Sequence, residues 1–355
     1  PGFAHPSDLP DELRRHGIDY VIDVPRLGGL SLRDPLRAME LVHRMVEARS
    51  RTALYLMETR PWNVLMAVFV APDRVQHFFW PREYSSVDSD EWAPIRALYQ
   101  QIDSFLGEVL KRIDENTTVL LVSDHGFQVR RNAPSCLNRL FAMLGLLHYR
   151  EGGVGLKSKV LKNLLLYGRK VIPLKFQRPL ALMFPGLRLR AGVEEWFSGI
   201  QWAKTRVFAS SFGHGVHINL QGRQPEGTVS QQQYDPLREQ VRSILLKLTD
   251  PRTGRRVIKA VHSREEFYHG PYSQDAPDLI IEWDYDEIHD ALCYLDGGER
   301  TVIQPPVEMS KAKQWKGTHH PLGIFIAYGS QIKRGASVEN AVIYDIAPTV
   351  LYLQG

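Results

Sequence analysis

Three short stretches of the chain carry side chains whose types and spacing suit metal chemistry. Ser123-Asp124-His125-Gly126 sets a carboxylate beside an imidazole. A hard oxygen donor next to a borderline nitrogen donor makes half a site for zinc or a similar divalent ion. Taken alone, that tetrapeptide is equally an ordinary solvated turn. Asp73 and His77 stand four residues apart. If a helix starts near Pro72, both fall on one face with Cβ atoms about 5–6 Å apart, so the pair can close on one ion. With 13 histidines in the chain, one such spacing also arises by chance, and its place at a strand end is what raises its interest. Gly317-Thr-His-His-Pro321 is the third stretch, again small residues with imidazoles, and His319 is its candidate ligand.

The elements that must position these residues can be read from periodicity. The apolar run Val119–Val122 predicts a strand buried on both faces, and it stops at Ser123. Ligands in open α/β sheets gather beyond the carboxyl ends of strands, which is where Asp124 and His125 would lie. Residues 63–70 predict a second buried strand, ended by Ala71-Pro72-Asp73. Between the two, residues 92–113 form an amphipathic helix with Ile95, Leu98, Ile102, Phe105, Val109 and Ile113 on one stripe. A strand–helix–strand unit implies parallel pairing. A further strand over residues 322–328 follows His319.

Elsewhere, residues 1–33 are rich in Pro and Gly and read as a loop. Asp34-Pro35 and Asp235-Pro236 each read as a helix start. Strands are expected over 212–220, 257–261 and 279–283. The first holds His214 and His217, which read more readily as ordinary hydrogen-bonded histidines than as ligands. A last helix over 344–353 has Asp345 near its start, most simply as its cap.

At 355 residues, with 43% hydrophobic residues and a mean hydropathy of -0.26, the chain suits one large α/β domain or a core with an insertion. No apolar run approaches the roughly 18 residues a membrane span needs. Two cysteines, Cys136 and Cys293, offer neither a disulfide framework nor zinc-motif spacing. They favour a reducing, cytoplasmic compartment. The net charge of +4 is local. Residues 150–206 carry twelve Lys/Arg against three Glu, so the remainder is net negative. We divide the chain into a first part of the core over 1–129, an inserted, basic, mostly helical cap over 130–205, and a second part of the core over 206–355. The cap's helices are expected over 137–147 and 160–166, with Leu161, Leu164, Leu165 and Leu166 packing onto the core. Its positive surplus reads as a solvated surface, with no specific nucleic-acid binding expected.

Taken together, Ala71-Pro-Asp-Arg-Val-Gln-His77, Val122-Ser-Asp-His-Gly-Phe127, Gly215-Val-His-Ile-Asn-Leu-Gln-Gly-Arg223, Ala276-Pro-Asp-Leu279, Gly317-Thr-His319 and Asp345-Ile-Ala-Pro-Thr349 resemble the alkaline phosphatase superfamily. The nearest branch in that resemblance is the type I phosphodiesterase/nucleotide pyrophosphatase family. The resemblance covers residues 60–353. It implies a doubly wound, mostly parallel sheet in an α/β/α sandwich. It also implies two divalent ions, zinc first, and a small-molecule phosphodiester or nucleotide substrate. One ion would be held by Asp73, His77 and His319. The other would be held by Asp124, His125, an aspartate of the family's first strand and a Ser or Thr nucleophile. That nucleophile would form a covalent phospho-enzyme.

In the family, the first-strand aspartate and the nucleophile precede the Asp-x-x-x-His stretch. Residues 1–72 offer no apolar strand ending in Asp before a hydroxyl-headed helix. Tyr20-Val-Ile-Asp-Val24 is the nearest imitation. The expectation is therefore that the nucleophile stands on an N-terminal segment preceding Pro1, and no residue is assigned to it. Asp73 and Asp124 then supply two of the four negative charges that two divalent ions call for, so one ion should bind well and one poorly. Other activities of the superfamily remain as alternatives: a phosphomutase, a phosphonate hydrolase or a sulfatase. A different class of alternative is a degenerate binding module without catalysis.

Overall fold

The computed structural model describes residues 4–25, 27–81, 86–150, 197, 199–210, 213–296, 298–305 and 315–355. In chain order its helices are α1 (Leu9–Arg15), α2 (Leu27–Arg33), α3 (Pro35–Thr59), α4 (Ala71–Phe79), α5 (Ala93–Leu110), α6 (Leu137–Met143), α7 (Gln231–Leu246), α8 (Arg264–Phe267) and α9 (Ile346–Gln354). The strands are β1 (Val119–Val122), β2 (Gly126–Val129), β3 (Val207–Ala209), β4 (Gly215–Ile218) and β5 (Ile258–Ser263). They continue with β6 (Leu279–Trp283), β7 (Leu292–Asp296), β8 (Glu299–Ile303), β9 (Gly317–His320) and β10 (Phe325–Tyr328). Two compact units result: Pro1–Arg130 with Ala312–Gly355, and Arg131–Lys311.

The first unit is built on helices. The Asp34 carboxylate accepts the Arg37 amide at 3.0 Å, and Pro35 opens α3 where its missing N–H costs nothing. One face of α3 buries Ala38, Val42, Met45 and Val46 against Val75 of α4 and Ile95 and Leu98 of α5. Residues 1–33, expected as a loop, contain the short helices α1 and α2. Their length, a turn or two each, is too short for periodicity to signal.

Two antiparallel pairs complete the unit, β1 with β10 and β2 with β9. The doubly wound, mostly parallel sheet expected from the sequence is thus not the pairing seen, because the sheets of the described residues are antiparallel. The difference lies in residues 63–70, which run outside any described strand. Val64, Met66 and Val68 are exposed there. Helix α5 does lead into β1 as expected, but β1 takes β10 as its partner. Ile326 and Tyr328 of β10 and Leu351 and Tyr352 of α9 are also exposed.

The second unit holds a four-stranded antiparallel sheet in the order β3-β4-β6-β5, and a β7–β8 hairpin. Leu237, Val241 and Leu245 of α7 share one buried core with Leu137, Leu140 and Phe141 of α6 and with Val216, Ile218, Leu279 and Ile281. The described residues of the proposed cap belong to that core, since Leu146, Leu147 and Ile200 lie in it too. Residues 151–196, with the expected 160–166 helix and most of the basic surplus, lie outside the described residues. Helix α7 starts four residues before Asp235. Ser230 caps it, and its amide is accepted in return by the Gln233 side chain at 3.2 Å. That reciprocal box supplies the start signal that Asp235-Pro236 had been read to give. Among the described residues, no helix is long and apolar enough to cross a membrane.

Candidate metal centre

Helix α4 carries Pro72 within its first turn, and Asp73 and His77 stand on its face at i and i+4 as their spacing predicts. The His77 Nε2 lies 3.3 Å from Asp73 Oδ1. Strand β9 brings in His319, whose Nε2 is 3.1 Å from Asp73 Oδ1 and 3.2 Å from His77 Nε2. The turn between β1 and β2 supplies His125. Its ring stacks on that of His319 at 3.8 Å between centroids, and its Nε2 is 3.8 Å from Asp73 Oδ1. Asp73, His125 and His319 each offer a donor atom, all within 4.8 Å of one another. Asp124 is the outlier. Its side chain is 81% exposed, and its Oδ2 lies 3.7 Å from His125 Nε2.

Backbone packing brings these stretches together. In the β2–β9 ladder, Gly126 stands opposite His320 and Phe127 opposite His319. A Cβ on Gly126 would collide with the Leu322 carbonyl, and one on Gly317 would collide with the Gln76 carbonyl and the Phe127 ring. Both positions are glycine because another backbone passes through the space a side chain would need. Gly317 thereby lets β9 lie directly against α4. The contact is tied by the Lys316 amide donating to the His77 carbonyl oxygen at 2.8 Å.

The tautomers follow from second partners. His77 Nδ1 is 3.1 Å from the Gly317 carbonyl oxygen, and His125 Nδ1 is 2.9 Å from that of Gly126. A carbonyl can only accept, so each Nδ1 carries a hydrogen, and Nε2 is the atom left to bind an ion once the ring is neutral. Burial pushes the Asp73 carboxyl up, but hydrogen bonds and charge from His77 and His319 outweigh it and hold it below its ordinary value. Burial, with the His125 and His77 imidazoles beside it, pushes His319 down. The two directions together favour a neutral His319 beside an ionised Asp73.

Such a donor set fits a divalent cation. Imidazole nitrogens and a carboxylate oxygen converge, and among the described residues no lysine or arginine pairs with Asp73. Metal–ligand bonds of about 2.0–2.1 Å at tetrahedral angles put ligand atoms about 3.3–3.4 Å apart. The spacings within Asp73, His77 and His319 are 3.1, 3.2 and 3.3 Å.

Fold and site together describe a mixed α/β protein with an imidazole–carboxylate centre suited to a metal-assisted reaction. Over residues 10–287 the chain matches the family model of type I phosphodiesterases and nucleotide pyrophosphatases. It belongs to that family, one of the alkaline phosphatase superfamily, whose activity is hydrolysis of phosphodiester and pyrophosphate bonds. His319 lies beyond the matched stretch. No curated protein and no solved structure matches the chain significantly.

One functional-looking group was missed in the sequence. Gly215–Arg223 and Ala276–Leu279 carried the resemblance without any assigned role. In the second unit they meet through Asp278, which is 0% exposed. Arg223 grips both of its carboxylate oxygens at 2.6 Å. The Ile218 amide and the Tyr234 hydroxyl also donate at 2.6 Å, and Arg264 donates at 3.2 Å. The Arg-to-Asp spacing of 55 residues leaves no local periodic signal. His217, singled out as a possible ligand, stacks on Phe208 at 5.0 Å.

Proposed function

We propose that the protein is a metal-dependent hydrolase of small-molecule phosphodiesters or pyrophosphates, with Asp73, His77 and His319 holding one divalent ion. His125 and Asp124 would contribute to a second, looser position, and zinc suits the imidazole-rich set. The observation that carries this reading is the 3.1–3.3 Å triangle of Asp73 Oδ1, His77 Nε2 and His319 Nε2, in a chain of the phosphodiesterase family. When bound, divalent ions supply Lewis-acid stabilisation of charge on a phosphoryl group.

The chain's own residues prepare that chemistry. Gly317 and Gly126 carbonyls fix the His77 and His125 rings and their tautomers, so no ring reorientation is needed on loading. Asp73 stays ionised through its contacts with two imidazoles, which keeps negative charge at the centre of the cluster. His319, whose side chain is 53% exposed, stands at the solvent side, where a substrate phosphate would enter. A covalent phospho-enzyme route needs a hydroxyl nucleophile, and we assign that role to none of these residues.

The test is hydrolysis of bis-p-nitrophenyl phosphate by metal-stripped and zinc-loaded protein, with p-nitrophenyl phosphate as the monoester control. The expected result is turnover that depends on metal and favours the diester. Turnover that survives thorough chelation would refute metal dependence, and absence of turnover with bound zinc would point to a binding module.

A further inference from the structure

The two antiparallel pairs beside the candidate centre follow one another as a single interrupted ribbon. β1 and β10 end their pairing at Val122 opposite Phe325, and β2 and β9 resume it at Gly126 opposite His320. Across the break, residues 123–125 face residues 321–324, so one side carries an extra residue, as at a bulge. Asp124 and His125 sit in that break, and His319 lies just beside it.

Ser123 governs how the ribbon opens. Its amide donates to the Ile324 carbonyl oxygen at 3.0 Å, which carries the β1–β10 register one pair further. In a regular antiparallel ladder the Ile324 amide would return the bond to the Ser123 carbonyl. Here it donates to the Ser123 hydroxyl oxygen, at 2.6 Å. The side chain thus takes the place of its own backbone carbonyl. That carbonyl lies against Gly323, where a Cβ would stand only 2.9 Å from it and 2.7 Å from the hydroxyl oxygen. With its carbonyl out of the ladder, the chain leaves the ribbon at the next residue. His125 then lies with its ring stacked on His319 at 3.8 Å and its Nε2 3.8 Å from Asp73 Oδ1.

We propose that Ser123 is a positioning residue: by accepting the Ile324 amide, its hydroxyl holds the 124–125 backbone out of the ladder and so sets His125 beside His319 and Asp73 for the second, looser ion. The proposal rests on the two-ion phosphodiesterase reading, but its structural half, a hydroxyl that places the His125 ring, can be tested without metal. Lacking the hydroxyl, the Ile324 amide has the residue 123 carbonyl to return to. Reaching it draws the 123–124 peptide back into the ladder and His125 away from His319. The triangle of Asp73, His77 and His319 is built on α4 and β9 and does not depend on that peptide.

Three variants separate placement of one ring from general support of the fold. Ser123→Ala removes the acceptor, Ser123→Thr keeps it on a side chain suited to a strand, and His125→Ala removes the ring through which Ser123 acts. In zinc titrations of metal-stripped protein, Ser123→Ala should weaken the looser site about tenfold and change the tight site less than about twofold. Turnover of bis-p-nitrophenyl phosphate should fall with the looser site, and Ser123→Thr should restore both. In the His125→Ala background, Ser123→Ala should lower kcat no further, since both substitutions act on one contact. In metal-free protein, proton–nitrogen spectra of labelled histidine rings should show His125 and its stacked neighbour His319 shifted by Ser123→Ala and returned by Ser123→Thr. Equal losses at both zinc sites, additive with His125→Ala, would reduce Ser123 to a support of the fold and overturn the proposal. Unchanged titrations and spectra would overturn it too. If the wild type shows no second zinc site, the two-ion reading fails, and the metal-free spectra still decide whether Ser123 places His125.

Discussion

Each unit of the molecule gathers a polar cluster around one aspartate, and the two clusters are satisfied in opposite ways. Asp278 is sealed from solvent and meets two guanidinium groups, a phenol and a backbone amide, all of them donors. Its charge is neutralised by the chain itself. Burial alone would push its carboxyl up, but Arg223 and its other donors hold it below the ordinary value. Asp73 is 34% exposed and meets imidazoles whose Nε2 atoms, at His77 and His125, are the ones free to bind an ion when the rings are neutral. Among the described residues, no arginine or lysine pairs with it. An aspartate held by fixed guanidinium groups is a structural tie, and one among convergent imidazoles suits an ion the chain does not carry.

That contrast can be broken most forcefully at its two centres. Asp73→Asn should lower zinc-dependent diesterase activity by about a thousandfold, about 4 kcal/mol of transition-state stabilisation. It should move the stability of metal-free protein by less than about 1 kcal/mol, because the site is partly open to solvent. Asp278→Ala should behave inversely. Removing the buried carboxylate that Arg223 and Arg264 share costs about 3–5 kcal/mol, seen as a large drop in urea midpoint, with no selective effect on zinc affinity. If Asp278→Ala is tolerated and Asp73→Asn unfolds the protein, the roles are reversed. Gly317→Ala comes next. Its methyl group must displace the Gln76 backbone or the Phe127 ring, costing about 1–3 kcal/mol, and zinc affinity should fall with stability because β9 would move off α4. Full zinc affinity in a destabilised Gly317→Ala protein would show that the α4–β9 approach does not set the site.

The smallest effect is at His262, where Nδ1 and Nε2 face Glu266 and Glu282 at 3.1 and 3.2 Å. Those two carboxylates raise the His262 value above 6.5. A raised folded value means extra stability that is fully present below about pH 6.5 and lost as pH climbs through the raised value. Largely solvated, it should amount to under about 1 kcal/mol. Melting of His262→Gln should therefore be flatter with pH between 6 and 8 than that of the wild type, and an identical slope would discount the pair.

The two clusters also differ in how far they were legible from sequence. Asp73 and His77 could be paired because a helix converts a four-residue spacing into proximity, and Pro72 announces that helix. Asp124, His125 and His319 stood out because each follows or precedes an apolar run. Asp278 and its arginines could not be read, since joining residues 55 apart depends on how β4 and β6 pair, and pairing leaves no trace in local periodicity. The glycines at 126 and 317 were visible as residue types, but not as contact points, until the neighbouring backbones were placed. Sheet direction was misread for a related reason. Residues 63–70 have the composition of a buried strand, and composition does not say whether a neighbouring strand will pair with them. The start of α7 was misplaced because Asp235-Pro236 was taken as the start signal, although Ser230 and Gln233 already stood at capping-box spacing.

Zinc titration of metal-stripped protein, wild type against His319→Ala, tests the centre most directly. His319 is half exposed and contributes nothing to either buried core, so the variant should fold and melt like the parent. We predict one tight zinc site and one weak site in the wild type, with the tight site lost in His319→Ala. Two tight equivalent sites, or a tight site that survives the substitution, would contradict the assignment of Asp73, His77 and His319 as its ligands.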